Sequence, residues 1–151
     1  MVEDQYTPPP LVGEGELFGR VIIVHTFEHV LAALEAASEL NRSVALQSAP
    51  DAIFYVGSLY LLNMFEQGGK QFPQVDAVFI LDCGDAGAEA VGALQAGHRY
   101  IRSSAPEALR AKLADIAQSC GAAMMTGPYT HFDLLRVHDA KAACKEWLTA
   151  I

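Results

Sequence analysis

The feature that most constrains the fold is a short, wholly apolar run of mainly β-branched residues, Val21-Ile22-Ile23-Val24, with a helical pattern directly behind it. A strand that is apolar at every position is typical of a parallel sheet that is buried on both faces. Apolar residues recur after this strand at helical spacing, and Glu28, Glu35 and Glu39 share the opposite side of that helix. The pattern predicts a β-α unit at the start of a parallel sheet.

The alternation of strand and helix continues along the rest of the chain. Further strands are predicted at residues 43–46, 77–81, 98–102 and 122–125. The sequence leaves open whether residues 132–137 form a sixth strand. Helices are predicted at residues 50–67, 86–95, 105–119 and 139–149. This alternation predicts an α/β fold, a three-layer α/β/α domain with a mostly parallel sheet of five or six strands. We expect the flavodoxin-like strand order 2-1-3-4-5, in which the first and third strands are neighbours.

The length of 151 residues fits one domain. Residues 1–19 contain Pro8-Pro9-Pro10 and Gly13-Glu14-Gly15, which disfavour regular structure. We therefore expect an extended N-terminal arm over residues 1–19, followed by a single α/β domain over residues 20–151.

Composition and charge exclude several classes of function. Hydrophobic residues make up 52% of the chain and the net charge is −8, so the chain supplies a large core and repels phosphate backbones and anionic membranes. We expect no nucleic-acid partner and no membrane partner. The N-terminus lacks the basic and apolar regions of a signal peptide, and the three cysteines form no C-x-x-C pair. These features predict a soluble, cytoplasmic protein without a bound metal.

The residues that follow each predicted strand are the candidates for a functional site, because ligands of open parallel sheets bind beyond the carboxyl ends of the strands. With the order 2-1-3-4-5, His25 would lie near Asp82 and Cys83. The candidate catalytic residues are His25, Asp82, Cys83 and Asp85, and the candidate ligand-binding residues are Thr26, Ser48, Arg102, Ser103 and Ser104.

Each candidate also has a structural interpretation. His25 is a candidate base, and Cys83 beside it a candidate thiolate, but Cys83 also fits a small buried thiol. Asp82 and Asp85 form a candidate acid–base or Mg²⁺-binding pair. Alternatively, Asp85 caps the third helix and Asp82 makes a hydrogen bond in the turn.

A short internal repeat supports the placement of the serines. Residues 44–52 and 100–108 both read as a strand, then S-A-P-D or S-A-P-E, then a helix. This spacing predicts that a serine caps each helix and that the acidic residue completes a capping box. Helix N-termini of this kind also present backbone N–H groups to an anion.

Three patterns that suggest a specific chemistry are incomplete in this chain. His25-Thr26-Phe27-Glu28-His29 matches the zinc-protease pattern H-x-x-E-H, but His25 ends a strand, so the two imidazoles would not share a helical face. Asp82 resembles the phosphate-accepting aspartate of response-regulator receiver domains. However, His25-Thr26 replaces their acidic pair and Thr126-Gly127 replaces their lysine.

A further likeness covers residues 93–127. This run, ALQAGHRYIRSSAPEALRAKLADIAQSCGAAMMTG, looks like part of a βα-barrel of the KDPG-aldolase type. Those enzymes use a lysine at a strand end, whereas the four lysines here fall in predicted helices or loops. There is also no G-x-G-x-x-G and no G-x-x-x-x-G-K-S/T motif, so no nucleotide cofactor is predicted.

The predicted helix at residues 50–67 has almost no polar side, because aromatic, aliphatic and Met residues occur all round it. We interpret it as the interface of a homo-oligomer, with coverage by the N-terminal arm as the alternative. Two functions remain open. One is a non-catalytic or regulatory domain that binds a small anionic metabolite, and the other is a small hydrolase or lyase that uses His25 with Asp82, Asp85 or Cys83.

Overall fold

The computed structural model describes residues 19–150 and contains a six-stranded, fully parallel sheet. The strands are β1 (Arg20–Val24), β2 (Val44–Ser48), β3 (Ala77–Gly84), β4 (Tyr100–Ser103), β5 (Ala123–Met125) and β6 (Thr130–Asp133). The helices are α1 (Phe27–Leu40), α2 (Ala52–Tyr55), α3 (Ser58–Gln71), α4 (Gly87–Ala96), α5 (Glu107–Ser119) and α6 (Ala140–Thr149). The predicted arm at residues 1–19 lies outside the described residues except for Gly19.

The α/β class and the parallel sheet are confirmed, whereas the predicted strand order is wrong. The observed order is β5-β4-β3-β2-β1-β6. Strand β2 lies between β1 and β3 and pairs with both, so β1 and β3 are not neighbours. The sixth strand forms at Thr130–Asp133, earlier than residues 132–137, and pairs with the other edge of β1.

The five longer helices form one row that follows the order of the strands. Contacts join α6 to α1, α1 to α3, α3 to α4 and α4 to α5. Right-handed crossovers along the consecutive neighbours β1 to β5 place α1, α3, α4 and α5 on one face of the sheet, and α6, which follows the last strand, packs beside α1. Two of the three glutamates on the polar side of α1 contact α6: Glu35 and Glu39 both pair with Lys141, and Glu39 also pairs with Lys145.

The two faces of the sheet bury different sets of side chains. Ile22 and Val24 point into the larger apolar cluster, to which all five helices of the row contribute. Val21 and Ile23 belong to a smaller cluster on the opposite face, which consists mainly of strand residues. Side chains alternate along a strand, so Gln47 and Arg102 emerge on this second face, and both are buried.

The predicted helix at residues 50–67 is two helices in the structure. A break at Val56 and Gly57, where φ of Gly57 is 83°, separates α2 from α3. Helix α3 does not stop at Gly68-Gly69 but continues to Gln71. A Cβ atom at Gly68 would lie 2.6 Å from Cγ1 of Val30, so the glycine permits the close approach of α1 and α3.

Thr26, a predicted ligand-binding residue, is the N-cap of α1, where its Oγ1 accepts from the backbone N–H of His29. The two predicted serine capping boxes are wrong. The N-cap residues of α2 and α5 are Asp51 and Pro106, and neither makes a side-chain capping bond. The cap of α4 is Ala86, so Asp85 is not the predicted cap. Among the described helices, none has the length and apolar character needed to cross a membrane.

Candidate functional site

A cleft of about 460 Å³ lies at the carboxyl ends of strands β3–β5. Its lining brings together three of the predicted ligand-binding residues, Arg102, Ser103 and Ser104, with the predicted acid Asp82. Asp51, Arg110, Gly127 and Tyr129 also line it, and none of these four is among the candidate site residues predicted from the sequence. The cleft therefore lies at the predicted edge of the sheet, with a partly different set of residues.

The most buried charge in the cleft is the guanidinium of Arg102, a residue that is only 8% exposed. Its Nε donates to Oε1 of Gln47 at 2.9 Å. Its guanidinium carbon lies 3.9 Å from the centre of the Tyr129 ring, and Nε2 of Gln47 donates to the hydroxyl of Tyr129. A cation–π contact and a fixed hydrogen bond hold the guanidinium in one orientation before any ligand arrives.

Asp82 lies near the end of β3, next to Arg102 on the neighbouring strand. Its Oδ1 accepts from the backbone N–H of Gly84 at 2.9 Å, so the predicted local hydrogen bond forms at an irregularity inside the strand rather than in a turn. Its own N–H donates to Oγ of Ser48 at 2.8 Å, so Ser48 supports the end of β3 rather than capping a helix. Burial raises the pKa of Asp82, the Gly84 N–H and the charge of Arg102 act to lower it, and the charge of Asp51 adds to the rise.

The last residue of β4 and the segment after it supply two serines and a second arginine. Ser103 Oγ donates to the carbonyl of Gly84 and accepts from the N–H of Ala105, so this hydroxyl fixes the loop. Ser104 is exposed at the cleft. Nε of Arg110, in the first turns of α5, is buried and has no hydrogen-bond partner among the described residues. A buried N–H without an acceptor is costly, and an anion in the cleft would supply one.

His25 does not lie in this cleft, because β2 separates β1 from β3. The prediction that His25 neighbours Asp82 and Cys83 is therefore wrong. Instead, Nε2 of His25 lies 2.6 Å from Oδ1 of Asp133, at the end of β6. The backbone N–H of His25 donates to Nδ1 of His29, and Thr26 caps α1 at the surface. We call this group the His25–Asp133 pair.

The His25–Asp133 pair is a second polar group at the same edge of the sheet. Burial acts to raise the pKa of Asp133, but the N–H of Leu135 and His25 outweigh it, so the pKa is lowered. Burial, followed by the charge of His25, lowers the pKa of His29. Asp133 was not predicted, and the only sequence signal for it was its position in the weak sixth strand.

Cys83 and Asp85 are both away from the cleft lining. Cys83 is fully buried in the larger apolar cluster, on the helix side of the sheet. Burial raises the pKa of its thiol to about 12, an environment that does not favour a thiolate. The structure thus places Cys83 as a small core residue. Asp85 is exposed. Within residues 19–150, no group of three or more His, Cys, Asp or Glu side chains is arranged to hold a metal ion.

Comparisons with known proteins bear on the fold alone. No protein-family model and no curated protein sequence matches the chain. Solved structures do match, among them the crystal structure of a "putative fructose-1,6-biphosphate aldolase" from Coccidioides immitis, with a TM-score of 0.59 and 21% sequence identity. The match covers 70% of this chain and 39% of that chain. The similarity supports the α/β fold.

Proposed function

We propose that this chain binds a small anionic metabolite in the cleft at the carboxyl ends of β3–β5, as a binding or regulatory domain. The observation that carries the proposal is Arg102, a buried guanidinium on the cleft lining that Gln47 and Tyr129 hold in place. A guanidinium that is buried and held in one orientation is well matched to a carboxylate or a phosphate.

A second cation and the charge of the whole chain support the same proposal. Arg110 lines the cleft and contributes a buried Nε that lacks an acceptor among residues 19–150. The chain has a net charge of −8, so its overall field repels anions. The two arginines lie on one side of the cleft, opposite Asp51 and Asp82, and this local basic side favours a specific anion over general attraction.

A second candidate is a small lyase or hydrolase, and two observations favour it. Asp82 lines the cleft and burial raises its pKa, the direction expected for a carboxyl that serves as a general acid or base. The similar solved structure is titled a "putative fructose-1,6-biphosphate aldolase", and aldolases are lyases. In this second candidate His25 does not act with Asp82, Asp85 or Cys83, because the structure pairs it with Asp133 instead.

The two candidates differ in the fate of the ligand. Incubation of the protein with fructose 1,6-bisphosphate, followed by analysis of the sugar phosphates, distinguishes them. The binding proposal predicts that the compound is recovered intact. Release of three-carbon products that Asp82→Asn abolishes and Asp115→Asn does not would favour the enzyme.

The binding proposal is tested by calorimetric titration with ethyl phosphate and with propionate. Arg102→Met keeps most of the side-chain volume and removes the charge, so we expect at least about tenfold weaker binding, the loss of a charge-assisted hydrogen bond. Lys112→Met on the surface of α5 is the matched control for net charge, and His25→Ala is the control for the other polar group. Both controls should bind as wild type does.

A second variant protects the test against a folding defect in Arg102→Met. Arg110 lies on the accessible helix α5. The Arg110→Met variant should also bind more weakly whichever anion the wild-type protein binds, and its melting curve should match that of the wild-type protein. The proposal is wrong if neither anion binds the wild-type protein. It is also wrong if Lys112→Met reduces affinity as much as Arg102→Met and Arg110→Met do.

A further inference from the structure

The charges on the cleft lining are separated along the sheet edge. Asp51 follows β2 and Asp82 lies at the end of β3, whereas Arg102 lies at the end of β4 and Arg110 in the helix that follows it. Strand β3 is the neighbour of both β2 and β4. The sign of the charge therefore changes across the cleft, between β3 and β4.

The acidic side of the cleft is suited to bind a cation. Neither Asp51 nor Asp82 forms an ion pair within the described part of the chain. The two carboxylates act on each other, since the charge of Asp51 contributes to the raised pKa of Asp82. A ligand cation between them would relieve this repulsion. Among the described residues, only Gly84 bonds to the carboxylate of Asp82, and it occupies one oxygen, so the other oxygen can accept from a ligand.

The basic side offers matching N–H donors for an anion. Arg102 is buried and oriented, and Nε of Arg110 lacks a partner among residues 19–150. The register pairs Asp82 directly with Arg102 on the neighbouring strand. Neighbouring strands are about 4.8 Å apart. The two halves of the cleft therefore suit a ligand whose positive and negative groups are joined by a short spacer of two or three bonds.

We propose that the ligand of this cleft is a small zwitterion, which carries a carboxylate or phosphate and a primary ammonium two or three carbons apart. The anion binds to Arg102 and Arg110, and the ammonium donates to Asp51 and Asp82. This inference rests on the proposed function, because it assumes that the cleft is the binding site. It adds that the acidic half of the cleft selects, among anions, those that also carry an ammonium group.

Three probes that share one skeleton test the inference: phosphoethanolamine, ethyl phosphate and ethylamine, each titrated by calorimetry at low ionic strength. We expect phosphoethanolamine to bind about five- to tenfold more tightly than ethyl phosphate, as for a partly exposed, charge-assisted contact. Ethylamine should bind more weakly than both. β-Alanine against propionate repeats the comparison with a carboxylate.

Variants of the acidic side show whether the preference comes from this cleft. Asp51→Asn suits the left-handed backbone at this position, where φ is 66°. Asp82→Asn keeps an oxygen for the Gly84 N–H. Each should bring the affinity of phosphoethanolamine down towards that of ethyl phosphate and leave ethyl phosphate binding no weaker. The matched control, Asp115→Asn on the surface of α5, should keep the wild-type ratio.

The outcomes separate the two proposals. Equal binding of phosphoethanolamine and ethyl phosphate would overturn the zwitterion and leave the anion site standing. Binding of neither phosphate probe nor either carboxylate probe would overturn both. A preference for the ammonium compounds that survives in Asp51→Asn and Asp82→Asn would also overturn the assignment of the acidic half.

Discussion

The carboxyl edge of the sheet carries two polar groups that differ in burial and in the partners of their side chains. In the cleft, Arg102 is 8% exposed and faces an open volume of about 460 Å³. At the ends of β1 and β6, the side chains of His25 and Asp133 are 22% and 38% exposed and already bond to each other at 2.6 Å. A histidine at a strand end is a weaker sign of a site than a charge buried beside open space.

The largest expected effect is on the oligomeric state, through the apolar surface next to the cleft. Helix α2 follows Asp51 at the cleft, and this region exposes large apolar side chains: Phe54 at 52%, Tyr55 at 83%, Val56 at 48%, Leu59 at 70% and Tyr60 at 59%. Such a patch is typical of an interface, so we expect a homo-oligomer in solution at micromolar concentration. Sedimentation equilibrium gives the mass.

Two serine substitutions sharpen this prediction. Tyr55→Ser with Leu59→Ser should reduce the mass to that of one chain. Leu135→Ser is the matched control, because Leu135 is 53% exposed but lies beside the His25–Asp133 pair. A wild-type protein that sediments as a monomer, or a control that dissociates equally, would contradict the assignment of the interface to residues 50–67.

The next prediction tests whether Cys83 belongs to the apolar core or to the cleft. Cys83→Ser places a hydroxyl in the apolar cluster and should lower the free energy of unfolding by about 1–3 kcal/mol, without a change in ethyl phosphate binding. In the folded wild type, iodoacetamide should modify the exposed Cys120 and leave Cys83 unmodified. Rapid labelling of Cys83 in the native state, or loss of binding in Cys83→Ser, would restore it as a site residue.

The smallest effect belongs to the His25–Asp133 pair. The pKa of Asp133 is lower in the folded state than in the unfolded chain, so its contribution to stability is present above the unfolded value, about 3.9. It is lost as the pH falls through the folded value. The pair is partly exposed, so we expect less than about 1 kcal/mol. Urea unfolding from pH 3 to 6 should show a flatter profile for Asp133→Asn than for wild type, with Asp115→Asn unchanged; matching profiles for both variants would contradict this.

Local elements of the fold were predictable from the sequence, and the strand order was not. The run from Val21 to Val24 and the helix behind it follow from neighbouring residues alone. The order depends on which strand edges pair, and this is decided by distant packing such as the contact of α1 with both α3 and α6. Sequence spacing carries no direct signal for such contacts.

The same distinction applies to the candidate site. Arg102, Ser103, Ser104 and Asp82 were found because each directly follows or ends a recognisable strand. Asp133 was missed because β6, Thr-His-Phe-Asp, lacks an apolar run. Tyr129 follows the weak fifth strand but was not chosen as a site residue, because its loop has no recognisable pattern. Asp51 was interpreted as part of a capping box, and its position in the cleft depends on how the chain turns at residues 50–51.

Amide chemical-shift mapping with ethyl phosphate compares the two polar groups in one measurement. The spectrum of the ¹⁵N-labelled protein reports on both ends of the sheet edge during a single titration. If the cleft is the binding site, the amides of Gly84, Ser103, Ser104 and Gly127 will shift with one common dissociation constant, while those of His25, His29 and Leu135 stay in place. Saturable shifts at His25, His29 and Leu135 with none around Arg102 would contradict the account.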